Sequence, residues 1–285
     1  MIVKIGGTER VESTDAIARL SILLWGQPGV GKTTFAATMP GRKALINFDP
    51  DGHTSVIGVP NLDVFDLSGT THEITKQFHG TDPLGIKSAI KEYDSIIIDS
   101  LSSIEDRTFD AGISKASKDS VPASIERPSQ SVYLTRNNLM HHLVRLVLNI
   151  TGAEKKHLCL LAHEQTKVNA KDQSYQHTLA LGGQLVYKVP SNVNECIVMY
   201  QDGKKKDIII SSNGFYTPVK TRMFTTMKGD RFTWKFNPDD WTNPNNMTLA
   251  QMYEIWKLNK FRKIPLPGTP EYDKMKDEVN ATRTD

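Results

Sequence analysis

SILLWGQPGVGKTT, residues 21–34, decides how the chain is read. Ser21–Gly26 is an apolar strand that runs into a glycine-rich turn. Lys32–Met39 then reads as a helix, stopped by Pro40 and Gly41. Between them, Gly26-Gln27-Pro28-Gly29-Val30-Gly31-Lys32-Thr33 fits G-x-x-x-x-G-K-[ST]. Glycines let such a loop turn its N–H groups inward around phosphate oxygens, and the following helix points its positive end at the same charge. At this spacing Lys32 reaches the β- and γ-phosphates, the Thr33 hydroxyl ligates Mg²⁺, and Thr34 completes the cradle. ATP and Mg²⁺ are therefore the expected cofactors. A chance glycine-rich turn would need neither the strand before it nor the helix after it.

A site of this kind needs a carboxylate for Mg²⁺ at the end of a neighbouring strand. Tyr93–Ser100, YDSIIIDS, is a β-branched run that reads as a strand buried on both faces, and Asp99 closes it. A second strand, Lys43–Asp49, runs into Asp49-Pro50-Asp51-Gly52. One of its acids is placed to activate the attacking water, Asp51 first and Asp49 second, with Glu105 a weaker competitor. The alternative is a turn whose acids only hydrogen-bond the backbone. His163 and Glu164 stand where the strand His157–His163 leaves the sheet, a position from which a polar pair can sense the γ-phosphate. His141-His142 lies within a helix with no matching ligand spacing and reads as structural.

The remaining elements predict the architecture. Residues 61–67 read as a short strand, and residues 73–93 as helical around a loop at 80–85. Ser131–Ile150 is a strong helix. Thr108–Gln130 and Glu164–Leu181 are polar and read as loops, the first of them mobile. Asn194–Tyr200 and Asp207–Ser211 read as a hairpin across QDGKKK, and Leu249–Asn259 as a helix before a charged tail. Strands alternating with helices predict an α/β, doubly wound, mostly parallel sheet with an antiparallel β segment at its end and a short helical tail. The expected division is an N-terminal arm or edge strand (1–19), an ATPase core (20–240) and a tail (241–285). Trp25 is expected to pack against the phosphate loop.

Composition narrows the function further. Hydrophobic residues make up 38% and charged residues 24%, which excludes a fibrous or wholly disordered chain. A formal charge of +3 is too small to coat nucleic acid, so any such contact must be local. Cys159 and Cys196 lie in apolar runs and read as reduced core residues. The N-terminus has no apolar signal core and no run is long enough to span a bilayer, so the expected setting is cytoplasmic, away from membranes.

In its order of elements the chain resembles the RecA-like P-loop ATPases. More narrowly, LLWGQPGVGKTTFAATMPG, FDPDG, YDSIIIDSLSS and LLAHEQ resemble the phage nucleotide-binding proteins of the Sak type, which are single-strand annealing proteins and recombination mediators. The resemblance covers residues 21–222. It implies that Asp51 stands where the family has a catalytic glutamate one methylene longer, and that Glu164 stands at a glutamine sensor. It makes Gln165–Leu181, followed by Gly182-Gly183-Gln184, the second DNA-binding loop, with Thr108–Gln130 near the first. Lys220-Thr221-Arg222 resembles the K-x-R finger of related ring helicases, which acts on a neighbour's γ-phosphate.

Single strands are bound by cations for phosphates and flat groups for bases. The loop 165–181 offers Lys167, Lys171, Tyr175 and His177. Lys204–Lys206 and the basic tail are further, more ordinary surface clusters. The resulting expectation is an ATP-dependent recombinase or annealing protein that self-assembles as a filament or ring on single-stranded DNA, with a single-strand binding protein as a further partner. A helicase-type motor and a non-catalytic ATP-binding adaptor are the rivals.

Overall fold

The computed structural model describes residues 4–5, 8–9, 19–68, 81–118, 128–168, 173–227 and 229–281. β1 (Lys4–Ile5) and β2 (Thr8–Glu9) form a small antiparallel pair of their own. The main sheet contains β3 (Ser21–Gly26), β4 (Lys43–Asn47), β5 (Leu62–Asp66), β6 (Ser95–Asp99), β7 (His157–Val168), β8 (Tyr175–Leu179), β9 (Glu195–Asp202), β10 (Lys205–Ile209) and β11 (Arg231–Thr233). Its order is β11-β10-β9-β3-β7-β6-β4-β5, with β8 added on β7. The run from β9 to β5 is parallel, whereas β10, β11 and β8 are antiparallel to their neighbours.

Alternation along the central strands divides the core into two layers. Leu23 and Trp25 face one way, with Ile96, Ile98, Leu158 and Leu160. Ile22 and Leu24 face the other, with Ile97, Cys159 and Leu161. The first layer is covered by α2 (Ile86–Glu92), α3 (Leu101–Lys118), α4 (Gln130–Ala153) and α5 (Leu185–Asn192). The second is covered by α1 (Lys32–Ala36), α6 (Leu249–Leu258) and α7 (Pro270–Ala281). This is a doubly wound, mostly parallel α/β core with β3 at its centre. Both cysteines are free and buried. Among the described residues no helix is long and apolar enough to cross a membrane.

Four expectations are corrected. Thr108–Lys118 is the second half of α3, not a loop. Within it Gly112 marks a close crossing: a Cβ there would stand 2.8 Å from the Val132 carbonyl oxygen of α4. Residues 119–127 lie outside the described residues, as do 73–80 of the helical stretch read over 73–93.

The stretch Glu164–Leu181 is mostly a hairpin. β7 continues to Val168 and pairs with β8 from Glu164↔Leu179 to Val168↔Tyr175. The tail carries a second helix, α7, whose Tyr272 and Val279 are buried in the same layer as α6. The Leu249 N–H donates to Thr38 Oγ1 at 2.9 Å, so residues 249–281 complete the core. Finally, Trp25 lies in the opposite layer, its indole N–H donating to the Pro218 carbonyl at 3.2 Å. It is Trp234 that packs beneath the phosphate loop, 3.5 Å from the place a Gly31 Cβ would take.

Candidate nucleotide site

The phosphate loop leaves the C-terminal end of β3 between β7 and β9. At Gly26 a Cβ would collide with the Met199 carbonyl of β9, so the loop can leave the sheet here only without a side chain. Gly31, at φ +103°, adopts a backbone that L side chains rarely take. Lys32 Nζ folds back over the loop and donates to the carbonyls of Gly26 at 3.1 Å and Gln27 at 2.8 Å. Burial lowers its pKa, and Asp99, Asp49 and Glu164 oppose that shift in decreasing order. Three carboxylates thus surround this ammonium electrostatically. Asp51 is not one of them.

Thr33 Oγ1 donates to Asp99 Oδ2 at 2.6 Å. Asp99 is 3% exposed, and burial pushes its pKa up to about 6 although the Thr33 hydrogen bond works against the shift. A hydroxyl paired with a buried carboxylate that has too little positive charge beside it is the hard-oxygen donor set a Mg²⁺ ion takes, so these residues fit the ion.

The end of β4 adds Asp49. Ser100 Oγ donates to its Oδ1 at 3.0 Å, Ser103 Oγ donates to the same oxygen, and His163 Nε2 approaches Oδ2 at 3.2 Å. Burial would raise the Asp49 pKa, but the hydrogen bonds from His163, Ser103 and Ser100 outweigh it and hold the group below its ordinary range. Asp51 lies outside this network. It is exposed at φ 54°, caps the short helical turn Gly52–Val56, and its carboxylate makes no hydrogen bond or ion pair among the described residues.

His163 pairs in register with Gly26 across β3 and β7. Its N–H donates to Ser102 Oγ at 2.9 Å, and that hydroxyl donates to the Ala180 carbonyl at 3.2 Å. Glu164 Oε1 meets His177 Nδ1 at 2.6 Å, and the His177 ring stacks on Tyr216 at 4.8 Å. His177, expected to face DNA, is therefore engaged inside the hairpin. Glu105 accepts the Gly182 N–H at 2.8 Å and pairs with Arg136 at 3.3 Å, so it braces the Gly-Gly turn and not the nucleotide loop.

At the hairpin tip Lys167 is exposed and Tyr175 is 63% exposed. Pairing of Val168 with Tyr175 places Tyr175 on one face and Lys167 on the other. Lys171 lies outside the described residues.

Lys220 bridges Cys196 near the start of β9, and the Arg222 N–H donates to Glu195 Oε1 at 2.9 Å. Glu195 pairs with Ile22, four residues before Gly26 and hence about 13 Å back along the strand. The basic pair therefore sits at the opposite end of the sheet from its own phosphate loop. Glu195 also accepts the Met223 N–H at 3.1 Å and the Thr221 hydroxyl, and burial pushes its pKa up to about 7.

Sequence reasoning missed the three serines. The signal was present in DSLSS, where hydroxyls at 100, 102 and 103 follow the strand-ending acid.

A lysine-capped phosphate loop and a Thr–Asp pair, set at the C-terminal ends of a parallel sheet, define a P-loop ATPase. The chain belongs to the family described as AAA domain, whose model matches residues 18–235. No curated protein matches it. Among solved structures it is similar to a KaiC-like protein of the hyperthermophilic archaeon Pyrococcus horikoshii OT3, at 14% identity over 77% of this chain and 87% of that one, with a TM-score of 0.42.

Proposed function

We propose that this ATPase is a single-stranded-DNA-binding protein of the recombination-mediator or annealing type, whose nucleotide state is passed to a DNA-contacting hairpin. The observation that carries the reading is the continuity of β7. One strand places His163 against Asp49 at the nucleotide site and, a few residues on, Lys167 at an exposed tip. A shift at the γ-phosphate position can therefore reach the tip through one rigid element and the Glu164–His177 pair. DNA touching both Lys167 and Tyr175 passes over the tip of the hairpin.

In this reading the loop Gly26–Gly31, Lys32 and Thr34 hold the triphosphate. Thr33 and Asp99 would hold Mg²⁺, which would supply positive charge against the phosphates. Asp51 accepts the proton of the attacking water, because both oxygens of Asp49 already accept protein donors while Asp51 is free. Asp49, His163 and Glu164 report the phosphate. Arg222, with Lys220 beside it, serves the site of a neighbouring subunit, since its own lies at the other end of the sheet. Activity then depends on assembly as a ring or filament.

The test is hydrolysis by mixed subunits. Arg222→Ala and Asp51→Ala should each be inactive alone, and mixing them should restore hydrolysis in the presence of single-stranded DNA. Mixtures that stay inactive while ATP is still bound would contradict the shared site. Hydrolysis indifferent to DNA would contradict the DNA-directed reading.

A further inference from the structure

A second cleft opens beside the phosphate loop. It has a volume of ≈ 280 Å³, and its walls include Thr34, Lys205, Lys206, Trp234, Phe236 and Pro238. Thr34 directly follows Lys32 and Thr33, so the cleft is continuous with the phosphate end of the loop. Across it, Lys206 Nζ stands 3.0 Å from the place a Gly31 Cβ would take and 5.9 Å from the centre of the Trp234 ring. Its ammonium makes no ion pair among the described residues.

The aromatic wall is rigid. The Trp234 indole N–H donates to the Met247 carbonyl at 2.9 Å, its ring stacks on Phe236 at 5.0 Å, and Phe236 meets Trp241 edge-on at 4.9 Å. A cation leaning on the phosphate loop, beside fixed apolar rings and a hydroxyl, is the chemistry of a phosphorylated nucleoside. The ammonium neutralises phosphate and the rings cover a flat base.

We propose that this cleft receives the ribose and base of the nucleotide, with Lys206 at the phosphate nearest the ribose and the Phe236–Pro238 wall against the base. The proposal rests on the reading that Gly26–Thr33 holds the triphosphate. Among the described residues no carboxylate or side-chain amide lines the cleft. The base is therefore covered and not read at its edge, and adenine and guanine nucleotides bind with similar strength. A single strand of nucleic acid offers related chemistry. The nucleotide is favoured because Lys206 points at the loop itself and Thr34 joins the two sites.

The experiment titrates the full chain with ATP, GTP and inorganic tripolyphosphate, each with Mg²⁺, by calorimetry and tryptophan fluorescence. ATP and GTP should agree within a few-fold, and both should bind more tightly than tripolyphosphate. Phe236→Ala should cost about tenfold in ATP affinity, the loss expected on removing one stacking partner of a base, and leave tripolyphosphate unchanged. Lys206→Gln, on a half-exposed strand position, keeps the test open should Phe236→Ala misfold, and should also weaken ATP. Quenching of tryptophan fluorescence by ATP should disappear in Trp234→Phe.

ATP binding no tighter than tripolyphosphate would overturn the proposal. So would Lys206→Gln binding ATP as the parent does while losing affinity for single-stranded DNA, which would assign the cleft to nucleic acid. Lys32→Ala should lose both ATP and tripolyphosphate; tripolyphosphate retained by that variant would instead contradict the phosphate-loop reading.

Discussion

The two halves of β7 behave as different kinds of strand. His157–Ala162 is buried on both faces between β3 and β6, whereas the last residues, 166–168, are exposed and paired only with β8. The inner half is specified by apolar burial. The outer half is specified by backbone pairing and by individual contacts such as Glu164–His177. Nucleotide binding belongs to the inner half and its neighbours, and the proposed response belongs to the outer half. His163 stands at the junction.

The sharpest way to separate the halves is at the two acids after β4, Asp49 and Asp51. Asp51→Asn should lower hydrolysis by about 10³-fold, as loss of a general base does, with ATP affinity nearly unchanged. Asp49→Asn should instead disturb the serine–histidine network and alter the response to DNA. Steady-state hydrolysis beside ATP titration distinguishes them, and comparable hydrolysis in Asp51→Asn and the parent would remove that acid from the mechanism. Lys32→Ala should weaken ATP by about 100-fold, the scale of lost charge-assisted hydrogen bonds, and should silence the outer half with it.

Smaller effects probe the outer half alone. Lys167→Ala combined with Lys171→Ala should leave ATP binding intact and reduce the salt slope of single-strand affinity by roughly 1.4, about 0.7 for each phosphate contact. An unchanged slope would detach the hairpin from DNA.

The smallest expected effect lies at the opposite end of the sheet. The Glu195 pKa is raised to about 7 in the fold, above its ordinary value, so the folded state holds the proton more tightly. Stability should therefore fall as pH rises from the ordinary carboxylate range through about 7, and level off above. Glu195→Gln should flatten that profile, gaining a few degrees in Tm relative to the parent at pH 8 compared with pH 5. Parallel pH profiles would show that the carboxyl does not titrate in this window.

What was legible in the sequence follows the same division. The phosphate loop, the strand ending at Asp99 and the apolar half of β7 declare themselves, because burial on two faces leaves an uninterrupted apolar run. The hairpin was hidden because exposed strands need no apolar pattern. Thr108–Lys118 was hidden because α3 buries small and polar residues such as Thr108, Gly112 and Ala116 against its neighbours. α7 was hidden because only Tyr272, Met275 and Val279 mark its inward face among many charges. Lys204–Lys206 looked like an ordinary basic turn, and only the fold carries Lys206 to the phosphate loop. For Lys206 it was distance along the chain that concealed the contact.

The central claim is that nucleotide state at the inner half of β7 sets DNA affinity at its outer half. Single-stranded DNA binding should be measured without nucleotide, with ADP and with a slowly hydrolysed ATP analogue, at two salt concentrations, on the parent and on His163→Ala. The account predicts tightening with the ATP analogue in the parent, and no change of affinity with nucleotide in His163→Ala although it still binds ATP. DNA affinity that is the same in all three nucleotide states of the parent, or absent throughout, would contradict it.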